Sequence, residues 1–165
     1  YAVLSSPFDH FFKEHWKGFT QTGVVEADQN IVYQYFSDTL DFLVSQGIQP
    51  IIFSPPPENG NNIGACLVKA LTFGSTLDKC NFYIHESAEN QKDANQLLKR
   101  VDRNYNVVWL SDFMCDKSIC QASMDNVFLY RDKGHLSNEG SVLLGRKVDF
   151  YSLITSSNKS NPVSK

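Results

Sequence analysis

The chain has no apolar run near the roughly 18 residues that a membrane span requires. Its longest, Pro50–Ser54 and Val107–Leu110, are strand-sized. It has no basic stripe either. The 15 Lys and Arg are scattered among 18 Asp and Glu, for a formal net charge of −3, which argues against nucleic acid as a partner. No internal repeat and no second domain stands out along the 165 residues, a length sufficient for one real core. The opening residues Tyr1–Pro7 lack a basic n-region, so they do not read as a secretion signal. They read as a strand, and the targeting segment of an exported protein is expected outside the chain. No Cys-x-x-Cys occurs, and no His pattern stands near the cysteines, which argues against zinc.

Four cysteines are present: Cys66, Cys80, Cys115 and Cys120. An even number allows two disulfides in three connectivities. Proximity pairs Cys66 with Cys80 and Cys115 with Cys120, each closing a short loop in polar sequence. Disulfides predict an oxidising compartment; four reduced core cysteines are the alternative.

Ala2–Ser5 reads as a short buried strand. Phe8–Phe19 is aromatic-rich and reads as a loop or short helix over the sheet edge, with a ligand-facing aromatic wall as the sharper alternative. Asp28 or Asn30 caps a helix running to about Gln46, its apolar positions Val32, Tyr35, Phe36, Leu40, Leu43 and Val44 recurring at three and four. Gly47 is a suitable stop. Gln49–Ser54 predicts a strand buried on both faces, followed by a rigid loop, Pro55–Asn62, whose prolines and Gly/Asn forbid regular structure. A short helix is expected around Ile63–Leu71, then irregular chain over 72–86. Ser87 is expected to cap a helix through about Asn104, with Leu97, Leu98, Val101 and Tyr105 on one face. Val107–Leu110 and Val127–Tyr130 read as strands. Ser137 caps a last helix with Glu139 in its first turn and Val142, Leu143, Val148 and Tyr151 buried. From Thr155 the Ser/Asn/Lys-rich end reads as a flexible tail, which leaves 1–154 as the domain. Alternating strands and helices with crossover-length connections imply an α/β domain with a mainly parallel sheet. Chemistry in such sheets gathers at the carboxyl ends of the strands. Three loops are expected there: the one after Leu4, the Pro-rich loop after Phe53, and the turn Tyr130–Gly140.

That last turn carries the chemistry. Asp132 stands three residues before His135, on a turn that follows an apolar strand and opens a helix. A carboxylate so placed can orient an imidazole and stabilise its protonated form, while the imidazole takes a proton from a nucleophile. Gly134 permits a tight backbone just before the His. Asp-x-x-His alone also fits a structural turn with a surface His.

The block Tyr-Arg-Asp-Lys-Gly-His-Leu-Ser-Asn-Glu-Gly-Ser from Tyr130 resembles the last block of the SGNH (GDSL-type) esterases and acyltransferases. It is most similar to the SGNH domain fused behind the membrane acyltransferase family 3 domain of bacterial glycan O-acetyltransferases, O-antigen enzymes among them. The loop Ser54–Glu58, the segment Ile63–Leu67 and the pair Cys115…Cys120 fit that subgroup, and the resemblance runs from about Ala2 to Tyr151. It implies a three-layer α/β/α, flavodoxin-like fold. It also implies that Asp132 orients the imidazole and that His135 is the general base for an acyl-serine mechanism. The family's nucleophile lies in a Gly-Asp-Ser motif after the first strand, and no Gly-Asp-Ser occurs here. By order of blocks Ala2–Ser5 matches the third strand, so the chain is expected to lack the first two strands and the serine. Where the family carries an Asn-bearing oxyanion block, the chain reads Ser5-Ser6-Pro7-Phe8. That leaves a backbone N–H or a Ser hydroxyl as the oxyanion donor.

The resemblance therefore implies a periplasmic domain of an inner-membrane protein. Its partners are a polysaccharide acceptor, a membrane acyltransferase domain that delivers the acyl group, and the N-terminal part of the same SGNH domain. No cofactor or metal is called for. A non-catalytic carbohydrate-binding or scaffolding domain is the main alternative. A metal site built from His135, Asp132 and His85 or Asp112 is a third.

Overall fold

The computed structural model describes residues 1–12, 17–20, 23–26 and 28–156. In chain order its elements are β1 (Ala2–Ser5), β2 (Lys17–Thr20), β3 (Gly23–Glu26), α1 (Gln29–Ser45), β4 (Pro50–Phe53), α2 (Ile63–Thr72), β5 (Phe82–Tyr83), α3 (Ile84–Asn90), α4 (Lys92–Val101), β6 (Asn106–Val108), α5 (Ser111–Met114), β7 (Ile119–Cys120), β8 (Ser123–Met124), β9 (Val127–Phe128), α6 (Asn138–Lys147) and α7 (Phe150–Ser156). They fall into two compact units. The first holds Tyr1–Ser54, Asp93–Val108 and the chain from Ile154; the second holds Pro55–Lys92 and Trp109–Leu153.

The first unit is built on a parallel sheet in the order β1-β4-β6. Strand β4 is central because Pro50-Ile51-Ile52-Phe53 offers an unbroken apolar run, and Ile51 and Ile52 are fully buried on opposite faces. Strand β1 is an edge. Its Val3, opposite Ile51, is 56% exposed, so the short buried strand expected here is only half-buried. Asp28 caps α1, its Oδ1 accepting from the N–H groups of Asn30 and Ile31 at 2.8 Å each. Gly47, at φ +72°, ends that helix. Its N–H reaches Val44 O at 2.9 Å, and the next N–H reaches Leu43 O at 3.0 Å. On α1 Leu40 is buried as expected, but Tyr35 is exposed.

Ala94, Leu97, Leu98 and Val101 form the buried stripe of α4, with Tyr105 just beyond it. Helices α1 and α4 lie side by side. Arg100 donates to Asn30 Oδ1 at 3.0 Å and stacks over the Tyr33 ring at 4.0 Å. Tyr105 donates to Asp41, and burial, helped by that carboxylate, pushes its phenol well up. Phe8 is buried, edge-on to Phe36 at 5.6 Å, so this part of the aromatic segment is core rather than a ligand wall. Residues 13–16, including Trp16, lie outside the described residues. The hairpin β2–β3 was not anticipated.

The second unit has no long element. Its helices are short, and its strands pair only as two-residue antiparallel ribbons, β5 with β7 and β8 with β9. Leu67, Phe82, Met114, Leu129, Tyr130 and Leu144 fill its core. Five sequence expectations are corrected here. Ser87 does not cap a helix; it is buried inside α3, which starts after Tyr83, whose N–H donates to Glu86 at 3.0 Å. The expected single helix from Ser87 is broken at Gln91 into α3 and α4. The stretch 72–86 is not all irregular, because Leu77–Cys80 forms a 3₁₀ turn and Phe82–Tyr83 a strand. On the last helix Leu144 is buried, while Val142 and Tyr151 are exposed. The expected tail is helical through Ser156, and residues 157–165 lie outside the described residues.

Both disulfides are in this unit, paired as proximity suggested. Cys66 joins Cys80 with Cα atoms 5.8 Å apart, and Cys115 joins Cys120.

Candidate active site

The Asp–His turn is a closed hairpin-like loop. Tyr130 and Leu136 bridge at its base, Arg131 N–H donates to His135 O at 2.9 Å, and Ser137 N–H donates to Leu129 O at 2.8 Å. Asp132 organises the interior. Its Oδ1 accepts from the backbone N–H of Gly134 at 3.1 Å and of His135 at 2.9 Å, the local pattern that favours Asp in turns. The same carboxylate receives His135 Nδ1 at 2.9 and 3.0 Å. The His135 N–H, with the Gly134 N–H and the imidazole behind it, holds the Asp132 carboxyl well below the usual carboxylate range. Asp132 is thus a fixed anion, and it draws the proton to Nδ1. Nε2 is then the basic nitrogen, on a side chain that is 70% exposed. An imidazole held this way is set for proton transfer at Nε2.

Three neighbours within the unit fix the turn. Ser137 caps α6, accepting from Gly140 N–H at 2.8 Å and donating to Phe128 O. Gly140 has to be glycine, because a Cβ there stands 2.7 Å from Leu129 O. On the other side the first turn of α2 docks directly on the Asp–His backbone. Gly64 N–H donates to Asp132 O at 3.2 Å, and a Cβ at Gly64 lies 2.1 Å from Arg131 O. Cys66, one half-turn further along α2, ties this helix to Cys80.

The Pro-rich loop is the third neighbour. Prolines have no N–H to give, so the loop is pinned through its carbonyls. Tyr130, buried, donates to Pro57 O at 2.6 Å, and Gln91 Nε2 donates to Pro56 O at 2.9 Å. Burial, and then the charge of Glu58, push the Tyr130 phenol far up, which keeps it a donor. Glu58 follows the prolines with its side chain 17% exposed. It accepts from Asn90 Nδ2 at 2.6 Å and stands 3.9 Å from Lys133 Nζ. A Cβ on Gly134 lies 2.4 Å from Glu58 Oε2, so the loop and the turn press together at that glycine.

The structure therefore brings Asp132 and His135 into contact and sets the Pro-rich loop and the Ile63–Leu67 segment against them. The loop after Leu4 belongs to the other unit, where Ser6 Oγ accepts from Phe8 N–H at 3.3 Å. His85 stacks on Tyr83, with ring centroids 5.4 Å apart. Among the described residues no three His, Cys, Asp or Glu side chains are grouped to hold a metal. Sequence reasoning missed Glu58, Tyr130 and Gln91 as the residues that hold the loop. The run Pro55-Pro56-Pro57-Glu58 was the available signal.

A family model described as "SGNH domain (fused to AT3 domains)" matches residues 1–150. The chain is also similar to a solved structure, the periplasmic domain of the Salmonella ser. Paratyphi A lipopolysaccharide acetyltransferase. The TM-score is 0.58 at 18% identity over 90% of this chain, and the chain spans 55% of that structure. No curated protein matches.

Proposed function

The chain belongs to the family of SGNH domains fused to AT3 domains, and on that premise we propose that it is part of a periplasmic O-acetyltransferase domain acting on a bacterial glycan such as O-antigen. The observation that carries the reading is the lock of Asp132 on Nδ1 of His135, which leaves Nε2 for the reacting proton. The serine comes from polypeptide beyond these residues, since no Gly-Asp-Ser occurs among them. The half-exposed edge strand β1 supports this, because it offers a side on which the sheet can continue. The two disulfides and the periplasmic origin of the similar structure support the compartment. A membrane acyltransferase domain delivers the acetyl group, as the AT3 fusion suggests.

The chemistry runs in two balanced halves. His135 Nε2 takes the serine proton as Oγ adds to the acetyl carbonyl. The tetrahedral adduct then expels the donor's leaving group, which takes that proton, and acetyl-serine remains. In the second half Nε2 takes the proton of a sugar hydroxyl, which adds to the acetyl carbonyl. Collapse forms the sugar acetate and returns the proton to Oγ. Asp132 stays ionised throughout and stabilises the imidazolium formed in each half.

Hydrolysis of p-nitrophenyl acetate by the intact protein tests this. His135→Ala is expected to lower kcat about 10³-fold, and Asp132→Ala about 10²-fold or more, in line with loss of a general base and of its orienting carboxylate. No hydrolysis by the native protein, with glycan binding retained, identifies a non-catalytic carbohydrate-binding domain instead; hydrolysis that both substitutions leave unchanged removes His135 and Asp132 from the chemistry.

A further inference from the structure

The second unit carries a cleft of about 830 Å³ whose lining excludes every residue of the Asp–His turn. One wall is the 3₁₀ turn Leu77–Cys80 with Asn81, and the other is the strand-and-hairpin segment Gln121–Phe128. We propose that this cleft binds a neutral oligosaccharide, as a subsite for a stretch of the glycan acceptor away from its reacting hydroxyl. The proposal rests on the acetyl-transfer reading above and adds to it where, and by what chemistry, the acceptor is held.

Three features point to that ligand. The first is the set of polar groups. Asn81 spends its Oδ1 on Ala122 N–H at 2.9 Å, which leaves its Nδ2 as a donor. Gln121, Ser123 and Thr76 line the cleft with amide and hydroxyl groups that both donate and accept. Hydroxyl-rich sugars need such mixed partners. Between them Met124 and the half-buried Phe128 offer apolar surface for the C–H face of a pyranose ring.

The second is charge. Asp125 is paired with Lys147 Nζ at 2.8 Å, so Asp78 is the uncompensated charge of the lining. A lone carboxylate repels phosphate, sulfate and carboxylate groups, and it accepts hydrogen bonds from sugar hydroxyls. The lining therefore selects against anionic glycans.

The third is rigidity. Each wall is stapled beside its ligand-facing residues: Cys80, next to Asn81, to Cys66, and Cys120, next to Gln121, to Cys115. The walls are joined to each other by the pairing of Phe82 with Cys120 and by the bond from Ala122 to Asn81. A pre-formed cleft lowers the ordering cost that makes sugar binding weak. Phe128 also leads through Leu129 and Tyr130 directly into the Asp–His turn, so one short segment serves both sites.

Hydrogen–deuterium exchange on the intact protein tests the assignment. The probes are neutral trisaccharides of glucose, galactose, mannose, rhamnose and N-acetylglucosamine, with sialyllactose as the anionic control, each at about 10 mM to reach millimolar affinities. At least one neutral trisaccharide is expected to protect peptides covering 75–81 and 121–128, while sialyllactose does not. Gln121→Ala with Ser123→Ala is expected to weaken that protection about tenfold or more. His135→Ala is expected to leave it unchanged. Protection by no neutral trisaccharide, equal protection by sialyllactose, or protection that survives the double substitution overturns the proposal. Measuring p-nitrophenyl acetate hydrolysis on the same sample separates the two readings. Activity without protection rejects the cleft alone, and protection without activity rejects acetyl transfer alone.

Discussion

The two units are held together by different physics. The first rests on the 17-residue helix α1, a parallel sheet and a helix with a continuous apolar stripe. Helix α4 buries Leu97, Leu98 and Val101 in one stripe, and β4 buries Pro50, Ile51 and Ile52. The second has helices of at most 10 residues and two-residue strands. It depends on two disulfides, on glycines that admit close backbone contact, and on side chains bonded to loop carbonyls. Short elements bury too little apolar surface to fix a loop by packing alone. The Asp–His turn belongs to the second kind, where position is set group by group.

The contrast can be broken from either side. The largest effect on stability is expected from Gly64→Val, whose side chain has to displace the Arg131 carbonyl. It should cost about 3 kcal/mol or more in urea unfolding and lower kcat with it. Next come two matched perturbations read by local hydrogen exchange. Leu97→Ala, at a fully buried position, should destabilise the first unit by about 2–5 kcal/mol. Loss of the Cys66–Cys80 bond, whose cysteines have a sequence separation of 14, should destabilise the second by about 3 kcal/mol. If each raises exchange only in its own unit, the two modes of support are distinct; equal effects throughout erase the comparison. Tyr130→Phe should cost about 1–2 kcal/mol, because it leaves Pro57 O buried without its donor, and it should free the Pro-rich loop to exchange faster.

The smallest effect concerns acid. The Asp132 carboxyl is depressed in the fold, so its stabilising contribution is present above the unfolded value of about 4 and is lost as pH falls through the folded value. Because the group is partly exposed, the loss should be slight. Urea midpoints of the native protein should fall more steeply below about pH 4 than those of Asp132→Asn; parallel curves contradict the carboxylate lock.

Legibility in the sequence follows the same division. The α1 and α4 stripes, the buried β4 and the stop at Gly47 announced themselves by period and by turn chemistry. The disulfide partners followed from spacing, and the Asp–His contact from three-residue proximity on a Gly-containing turn. Other features depended on distant partners. The helix break at Gln91 has no Gly or Pro to signal it, and its side chain is drawn to Pro56 O and to Ser87 Oγ. Gly64 looked like any helical glycine, and only its approach to Arg131 shows why no side chain fits. Two-residue strands such as β5 and β7 are too short to show alternation. On α6 the choice between Val142 and Leu144 turned on which residues meet β9, which periodicity alone does not decide.

In the proposed reaction His135, locked by Asp132, activates a serine that is not among these 165 residues. The most direct measurement is peptide mapping of the intact protein after reaction with a fluorophosphonate probe. One adduct is expected, on a serine outside these 165 residues, and it disappears in His135→Ala. An adduct on a serine between Tyr1 and Lys165, or labelling that His135→Ala leaves intact, contradicts it.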